Sequence, residues 1–459
     1  MRLVLLSGGS GKRLWPLSND SRSKQFLKVL DNQSGVKVSM VQRVWSQLKE
    51  SGLGGTSIIA TSHAQVDMLK SQLGMDAPIV IEPERRDTFP AIALACSFLH
   101  SVQKCSLDEV IAILPVDPYV GNAFFNRIKD LENALLESDA ELALIGVKPT
   151  FPSEKYGYIV PGNVEENERL MVDHFKEKPN LNEAVELIGK NALWNCGVFA
   201  FKLGFILEEL KKRKLPTEYE KLLPIYSLLP KNSFDYEVVE KTKKIIALPY
   251  DGYWKDLGTW NTLTDEMAVK ITGKGVMSSE LKNSHIVNEL DIPIALLGLD
   301  DVVVAASPDG ILVTHKDSSP KVKEYVDRLG GRPMYEERRW GWYRVLEYTK
   351  YPEGNEVLIK RLGITANHNL SYQVHYKRSE VWTIVKGEGV FVHNDQLRHV
   401  RTGDVLHIPL GDKHAIRATT DMEVIEVQSG SQLIEEDIYR ISHDWAETEE
   451  ICKEQHFSK

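Results

Sequence analysis

A glycine-rich segment near the beginning of the chain has the residue types that bind phosphates and assist their transfer. Gly8, Gly9 and Gly11 allow sharp backbone turns that bring N–H groups close to an anion. Arg13 and, further along, Lys24 add fixed positive charge. Such a cradle would stabilise the charge of a triphosphate during a transfer reaction. The segment lacks the spacing of a P-loop, and a plain strand-to-helix turn is the alternative explanation of its glycines.

Asp117 is an acidic residue at a position where an α/β fold can bind ligands. It follows a predicted strand, and ligands of open α/β folds bind at the carboxyl ends of the strands. A carboxylate there offers an oxygen ligand of the kind that Mg²⁺ uses beside substrate phosphates. The alternative for an aspartate in this position is a turn cap.

A second set of candidate metal ligands lies in the last third of the chain. Gln373 and His375 alternate along one predicted strand, so their side chains face the same side. Glu380 comes from the next predicted strand and His414 from a later one. Two imidazoles, a carboxylate and an amide oxygen suit Zn²⁺ or another divalent metal. An isolated histidine on a strand is more often structural, so the case depends on the four residues together.

The elements that must position these residues change in kind along the chain. Up to residue 265, predicted buried strands alternate with predicted helices, a pattern typical of a Rossmann-like, mostly parallel sheet covered by helices. The strands are expected at 2–6, 56–60, 110–114 and 142–147, and the helices at 90–102 and 124–137. We therefore predict an α/β domain over residues 1–265.

The remaining chain is predicted to be mainly β-structure. Residues 266–335 form a short β-rich connector, in which one helix is expected over 318–329 before the glycine pair 330–331. From residue 336 to 459, closely spaced strands separated by Gly, Asn and Asp turns predict a C-terminal β-barrel.

Composition and charge exclude several classes of protein. The 459 residues carry a net charge of -9, which argues against general nucleic-acid binding. The four cysteines form no C-x-x-C pair, and their scattered spacing is typical of reduced thiols. We find neither a signal-peptide pattern nor an apolar run of about 20 residues. We therefore expect a cytoplasmic protein without a membrane partner.

Seven motifs in order along the chain resemble the nucleoside-diphosphate-sugar pyrophosphorylases, especially the mannose-1-phosphate guanylyltransferases. They are GGSGKRL at 8–14 with KQF at 24–26, EP at 82–83, LPVD at 114–117, YGYI at 156–159, FKEKP at 175–179, WNCGVF at 194–199 and WKDLGTW at 254–260. The resemblance implies transfer of a nucleotidyl group from GTP to α-D-mannose 1-phosphate, giving GDP-mannose and pyrophosphate.

The same resemblance implies a role for each motif. Nucleotide binding is expected of Gly8, Gly9, Ser10, Gly11, Lys12, Glu82 and Pro83. Sugar-phosphate binding is expected of Tyr156, Gly157, Glu177, Lys178 and Asn195. Arg13, Lys24, Asp117 and Asp256 are the expected catalytic residues, and the two aspartates would hold Mg²⁺. The alternatives to these binding roles are structural: tyrosines that pack in the core, residues that form turns, and charged residues on the surface.

The C-terminal pattern resembles the cupin motifs of the type II phosphomannose isomerase domain that is fused to bacterial guanylyltransferases. Gln-x-His-x4-Glu is followed by Gly387, and Pro-x-Gly-x-x-His ends at His414. The resemblance implies interconversion of mannose 6-phosphate and fructose 6-phosphate, with Arg378 serving the phosphate or the proton transfer. The family sequence HHHRAEHW reads HYKRSEVW at 375–382, so Tyr376, Lys377 and Val381 stand where the family has histidine. This change leaves open an inactive barrel that serves structure or assembly as a homo-oligomer.

Departures in the first domain leave the substrate pair open. The family sequence RNTAP reads RDTFP at 86–90, close to the expected base pocket. A nucleotidyltransferase for another nucleoside triphosphate or another sugar 1-phosphate is therefore the alternative. A sugar-nucleotide-binding regulator without catalysis is a further alternative, which the presence of Arg13, Lys24, Asp117 and Asp256 disfavours.

Overall fold

The first part of the chain forms one large sheet with helices on both faces. The computed structural model describes the whole chain apart from residues 10, 20, 33, 165–168, 435–436 and 458–459. The strands are β1 (Arg2–Ser7), β2 (Leu30–Asp31), β3 (Lys37–Val38), β4 (Ser57–Ser62), β5 (Ile79–Glu82), β6 (Val110–Pro115), β7 (Pro118–Val120), β8 (Leu142–Val147), β9 (Tyr158–Val164), β10 (Leu170–Lys176), β11 (Leu193–Lys202), β12 (Ile245–Tyr250) and β13 (Trp254–Asp256). The helices are α1 (Met40–Glu50), α2 (Val66–Leu73), α3 (Thr88–Ser101), α4 (Ala123–Leu136), α5 (Leu181–Gly189), α6 (Leu203–Lys212), α7 (Tyr219–Leu222), α8 (Phe234–Glu237) and α9 (Trp260–Thr264).

The large sheet confirms the α/β class. Its strand order is β5-β4-β1-β6-β11-β8-β12-β10-β9. Strands β1, β4, β5 and β6 are parallel, and so are β8 and β12. Strands β9, β10 and β11 add antiparallel pairings that the alternating sequence pattern did not indicate. A separate antiparallel pair, β7 with β13, brings a distant segment to the carboxyl end of β6.

The alternation of side chains along β1 contributes to two cores, one on each face of the sheet. Leu3 and Leu5 of β1 pack in one core with α1 and α4, while Val4 packs in the other with α3. This division follows from the period of two in a strand. Helix α1 begins with a capping box between Ser39 and Gln42, which satisfies its first N–H groups.

The second part of the chain consists of short strands, most of which pair in parallel. It contains β14 (Ile271–Thr272), β15 (Gly275–Met277), β16 (His285–Asn288), β17 (Ile294–Leu296), β18 (Val302–Ser307), β19 (Gly310–His315) and α10 (Val322–Val326). The pairs β14–β16, β16–β18 and β15–β17 are parallel. The prediction of one helix over 318–329 is wrong: a 3-10 segment, Lys316–Lys321, precedes the short α10. Pro320 lies in that segment, and a proline disfavours α-helix at the preceding residue.

The third part is a barrel of two sheets followed by a helix. Its elements are β20 (Tyr335–Arg338), β21 (Gly341–Lys350), β22 (Glu356–Ile364), β23 (Tyr372–Val374), β24 (Arg378–Lys386), β25 (Glu388–His393), β26 (Gln396–Arg401), β27 (Val405–Ile408), β28 (His414–Ala418), β29 (Met422–Gly430), β30 (Tyr439–Ser442) and α11 (Trp445–Phe457). The sheets have the orders β20-β21-β22-β29-β24-β27 and β26-β25-β28-β23-β30. Trp382, Phe391 and Ile416 fill the space between them. Across the described ranges, no helix has both the length and the apolar character that crossing a membrane requires.

The connector supports the glycine-rich segment of the first part. The Ser307 hydroxyl donates to the Pro16 carbonyl (2.6 Å), and the Asn19 amide donates to Asp309 (2.6 Å). Gly310 has a φ of 151°, and a Cβ there would lie 2.5 Å from the Trp15 ring. The close approach therefore requires glycine. It lets the connector pack against Trp15, in the segment that follows Gly11.

Candidate functional site

Lys24 brings the two distant aspartates together. Its Nζ lies 2.8 Å from Asp117 Oδ2 and 3.3 Å from Asp256 Oδ1. The pairing of β7 with β13 sets Asp256 opposite Pro118, next to Asp117. The two carboxylates converge because the β7–β13 pair places Asp256 beside the residue that follows Asp117. Two convergent carboxylates beside a fixed cation can hold a divalent ion and the phosphates that bind it.

Charge stabilises this arrangement in a partly buried site. Burial alone would raise the pKa of Asp117, but the Lys24 ammonium and its hydrogen bond hold that pKa below its ordinary value. Burial would lower the pKa of Lys24, yet Asp117 and Asp256 raise it well above its ordinary range. The exposed Arg13 lies near enough for its charge to lower the pKa of Asp117 as well. Lys24 and Asp117 are therefore both ionised at neutral pH.

The glycine-rich segment is positioned by side chains beneath it. Gly9 has a φ of 110°, and a Cβ on Gly11 would lie 2.5 Å from Ser23 Cα. The Ser23 hydroxyl donates to the Gly9 carbonyl (3.1 Å), and the Gln65 amide donates to that hydroxyl (2.7 Å). A Cβ added to Gly8 would meet no described atom within 4 Å, so this backbone faces open space. Ser10, also predicted to bind nucleotide, lies outside the described residues.

Lys12 and Glu82, also predicted to bind nucleotide, contact distant parts of the chain. Lys12 forms an ion pair with Asp327 (3.4 Å), immediately after α10. Glu82 accepts a hydrogen bond from the Tyr226 hydroxyl (2.7 Å), and burial raises its pKa. Pro83 is exposed beside it.

The predicted sugar-phosphate residues form a polar cluster around Gly157. A Cβ on Gly157 would lie 2.6 Å from Glu177 Oε2, so glycine is needed for this approach. Lys178 Nζ lies 2.5 Å from Glu177 Oε1. Asn195 donates from Nδ2 to Asp235 Oδ1 (2.8 Å). The cluster thus offers a cation for a phosphate and several acceptors and donors for hydroxyl groups.

Tyr156 connects this cluster with the two aspartates. Its ring packs against Trp194 (4.8 Å between centroids) and Trp254 (5.7 Å). Burial raises the pKa of its hydroxyl, and the charge of Asp256 adds to this effect. The tyrosine therefore stays neutral and can donate a hydrogen bond in the space between the two groups.

Asp235 is a member of the cluster that the sequence did not indicate. Burial raises its pKa to about 7, and the charge of Glu177 adds to the rise. Burial also raises the pKa of Glu177. The residue lies in the short helix α8, outside the motifs that resemble the family. Only its contact with Asn195 in the folded chain reveals it. Phe89, by contrast, is fully buried in the core rather than at an open pocket.

The barrel brings three of its four predicted metal ligands together around one carboxylate. His375, Glu380 and His414 are buried, and one ligand atom from each lies within 4.8 Å of the others. Glu380 Oε1 is 3.3 Å from His375 Nε2, and Glu380 Oε2 is 3.5 Å from His414 Nε2. Gln373 is adjacent: its Nε2 lies 3.2 Å from His375 Nε2. A half-turn of that amide would present its oxygen instead.

The surroundings of the barrel cluster orient both imidazoles. His375 Nδ1 lies 3.0 Å from the Asp437 carbonyl, and His414 Nδ1 lies 3.1 Å from the Asp412 carbonyl. These contacts place the proton on Nδ1 and turn the Nε2 lone pairs toward Glu380. Burial lowers the pKa of His375 to about 4, so its ring is neutral. His414 Nε2 is buried without a hydrogen-bond partner among the described residues, as a metal ligand would be.

Two further residues complete the barrel cluster. The predicted Arg378 donates from Nε to Glu380 Oε1 (2.9 Å), and its Nη2 lies 3.3 Å from His375 Nε2. Glu426, for which the sequence predicted no role, accepts a hydrogen bond from the Trp382 indole N–H together with Glu380. Burial and the charge of Glu380 raise the pKa of Glu426 to about 7. A carboxyl with that pKa can take up and release a proton near neutral pH.

Comparison with known proteins identifies the family. The family model described as nucleotidyl transferase matches residues 2–272, more than half of the chain. The chain belongs to the nucleotidyl transferase family. Two further models match this nucleotidyl transferase: a MannoseP isomerase/GMP-like beta-helix domain over 282–329, and the mannose-6-phosphate isomerase C-terminal region over 333–443.

Relatives of similar length match the nucleotidyl transferase from end to end. The xanthan biosynthesis protein XanB of Xanthomonas campestris pv. campestris (strain B100) is 31% identical, over 97% of this chain and 99% of the relative. The mannose-1-phosphate guanylyltransferase of Escherichia coli (strain K12) is 28% identical, over 96% and 97%. A crystal structure described as a mannose-1-phosphate geranyltransferase from Thermus thermophilus is 29% identical, with a TM-score of 0.58, over 72% of this chain and 98% of that one.

Proposed function

We propose that this nucleotidyl transferase transfers the guanylyl group of GTP to α-D-mannose 1-phosphate, giving GDP-mannose and pyrophosphate. The names of the full-length relatives support the substrate pair. The observation that carries the chemistry is the convergence of Asp117 and Asp256 on Lys24.

The reaction follows from the charges in the site. A phosphate oxygen of the sugar 1-phosphate attacks the α-phosphorus of GTP, and pyrophosphate leaves as the bond to it breaks. The attacking oxygen is already anionic, so no general base is needed. Lys24 and Arg13 neutralise the phosphates, while the backbone around Gly8 and Gly9 lies against the nucleotide. Positioning and neutralisation therefore account for catalysis.

The donor set at this site fits magnesium. Asp117 and Asp256 would hold Mg²⁺ through carboxylate oxygens, the ligands that it prefers. When bound, the ion would neutralise charge on the triphosphate. We assign sugar binding to the cluster around Gly157, with Lys178 on the phosphate and Glu177 and Asn195 on hydroxyl groups. We also infer domains at 1–265, 266–335 and 336–459.

A pyrophosphate-release panel tests the substrate assignment. Four nucleoside triphosphates are crossed with mannose, glucose and fucose 1-phosphates, and kcat/KM is measured for each pair. GTP with mannose 1-phosphate should give the highest value. A higher value for another pair would refute the named product and leave the transfer chemistry in place.

We propose isomerisation of mannose 6-phosphate and fructose 6-phosphate as the second activity, in the barrel. The donor set of Gln373, His375, Glu380 and His414 fits Zn²⁺ or another divalent ion, which would polarise a sugar oxygen when bound. Glu426, with its pKa near 7, is our candidate for moving the proton between C1 and C2. Conversion of fructose 6-phosphate by the intact protein tests this assignment, and absence of conversion would favour an inactive barrel.

The setting of the enzyme is part of the proposal. The four cysteines are buried and free, as is usual for proteins of reducing compartments, so we place the enzyme in the cytoplasm. A homo-oligomer stays a prediction from the sequence.

A further inference from the structure

The metal cluster of the barrel opens into a cavity that two parts of the chain share. The cavity has a volume of about 790 Å³. Gln373, Glu380 and Trp382 line its barrel side, while Asp67 and Lys70 of α2 line the opposite side. Helix α2 belongs to the first part of the chain, which contains the nucleotidyl transferase site. The first part therefore forms one wall of the cavity beside the barrel cluster.

Helix α2 is held over the barrel by an ion pair and by its packing. Asp67 Oδ2 lies 3.7 Å from Arg338 Nη1, at the end of β20. Gln72 also donates a hydrogen bond to Glu337 Oε2 (3.3 Å) from the same helix. Asp67 and Lys70 are three residues apart and therefore share one face of α2. The Lys70 ammonium, which lines the cavity, has no hydrogen-bond or ion-pair partner in the part of the chain that the structure describes.

Cationic side chains outnumber acidic ones in the lining of this cavity. Six permanent cations line it, against four acids. Arg378, Lys360, Glu380 and Glu426 are buried or half-buried beside the metal cluster, and the remaining charges are Lys70, Arg338, Arg339 and Arg440 with Asp67 and Asp444. The effects of Asp67 and Arg440 on the pKa of Arg339 indicate that these charges are close neighbours. Burial lowers the pKa of Arg339, Asp67 opposes this effect, and Arg440 adds to it. Partial burial, Arg339 and Arg440 likewise lower the pKa of His443.

The strand register places one of these cations beside the metal cluster. In the sheet β28-β23-β30, Gln373 pairs with His414 on one side and with Arg440 on the other. Residues directly opposite each other in neighbouring strands project from the same face of the sheet, with Cβ atoms about 5 Å apart. Arg440 therefore lies one strand away from the candidate metal ligands. Arg339 is close as well, since its Nη2 donates to the His443 carbonyl (3.3 Å).

We propose that Arg339, Arg440 and His443, together with Lys70 from α2, form a subsite for the phosphate of a hexose 6-phosphate bound in this cavity. The proposal rests on the isomerase activity proposed for the barrel. A hexose 6-phosphate carries a dianion at one end and its reacting carbons at the other. The cavity has the matching order: Lys70, Arg339, Arg440 and His443 are half-buried or exposed, whereas the buried Glu380 of the metal cluster lines its inner end. The nucleotidyl transferase domain thus completes the isomerase site.

Calorimetric titration of the full-length protein tests the subsite without relying on turnover. Wild-type protein should bind mannose 6-phosphate at least about tenfold more tightly than mannose, because the phosphate makes charge-assisted hydrogen bonds. Arg440→Gln and Lys70→Gln should each weaken mannose 6-phosphate binding about tenfold and leave mannose binding unchanged. Arg440→Lys should recover part of the loss, since it keeps the charge but not the planar fork. Lys211→Gln, an exposed lysine on α6, is the matched control.

The outcomes separate the subsite from the isomerase. If wild-type protein binds mannose 6-phosphate and does not convert it, the isomerase proposal fails and the subsite stands. Unchanged binding by Arg440→Gln, or equal affinity of the wild type for mannose and mannose 6-phosphate, would overturn the subsite. Unchanged binding by Lys70→Gln alone would overturn the contribution of α2. If the protein is an isomerase, both variants should raise KM for fructose 6-phosphate and keep kcat. Melting temperatures confirm that each variant is folded.

Discussion

Replacing Lys24 with methionine should affect turnover and magnesium binding in opposite directions. The ammonium now neutralises both Asp117 and Asp256, at 2.8 and 3.3 Å. It also provides fixed positive charge for the triphosphate. Removing it should lower the rate of pyrophosphate release, since the transition-state charge loses a donor. It should also strengthen the binding of Mg²⁺ without nucleotide, since the two carboxylates lose a competing cation.

The geometry sets the size of both effects. At an effective dielectric constant of about 20, the two contacts correspond to about 6 and 5 kcal/mol of gross attraction. The three side chains are 17%, 31% and 32% exposed, so solvent and desolvation leave about 1 to 2 kcal/mol net. Magnesium should therefore bind about tenfold more tightly. Loss of one electrostatic donor typically lowers kcat by about 100-fold to 1,000-fold.

The assay combines steady-state pyrophosphate release with calorimetric titration of Mg²⁺. Lys28→Met is the matched control, because Lys28 lies four residues further on and forms only a partly exposed ion pair with Glu337. The reasoning would be refuted if Lys24→Met kept wild-type turnover or bound Mg²⁺ more weakly. Acidity offers a further check. The lowered pKa of Asp117 stabilises the fold above its unfolded value near 4, so the stability difference between wild type and variant should shrink as the pH falls below that value.

Three further substitutions test other parts of the structure. Asp235→Asn should remove a pH dependence: the pKa of Asp235 is raised to about 7, so wild-type stability is greatest at low pH and falls as the pH rises through 7, by about 1 to 2 kcal/mol after allowance for partial exposure. Melting curves at pH 5.5 and 8.5 measure this, and equal slopes for both proteins would contradict it. Gly157→Ala should cost about 1 to 3 kcal/mol and raise KM for mannose 1-phosphate, because its Cβ would collide with Phe175 and Glu177; an unchanged KM would separate this glycine from the sugar site. His375→Gln should lower the metal content of the barrel, measured by mass spectrometry after loading with Zn²⁺, and leave pyrophosphate release unchanged, whereas full metal retention would exclude His375 as a ligand.

The regular elements followed well from local patterns. The strand predicted at 142–147 is β8 with the same bounds, and the helices predicted at 90–102 and 124–137 begin and end within two residues of α3 and α4. Long buried runs and amphipathic periods are sufficient here, because burial of apolar side chains determines both. The short elements followed less well. The predicted helix over 318–329 is divided at Pro320, and α11 was not indicated among the strands of the barrel.

The residues of the candidate sites also divide into those that local sequence patterns indicated and those that they did not. Lys24, Asp117, His375 and His414 stand in motifs, so residue type and spacing were enough to select them. Asp235 stands in no motif, and Glu426 stands in a run that resembles the isomerase family but predicted no role for it. Their raised pKa values arise from burial beside another carboxylate, and such neighbours come from distant parts of the chain.

The sequence by itself determined the order of the folding units, the chemistry of the residues in each motif and the two kinds of site they suggest. These properties are local, since they depend on side-chain type and on the period of a strand or helix. Only the tertiary structure decided that Asp256 meets Asp117 at Lys24, and that α2 forms a wall of the barrel cavity. Both contacts join residues that are far apart in the chain, and the pairing of strands and the packing of domains bring them together.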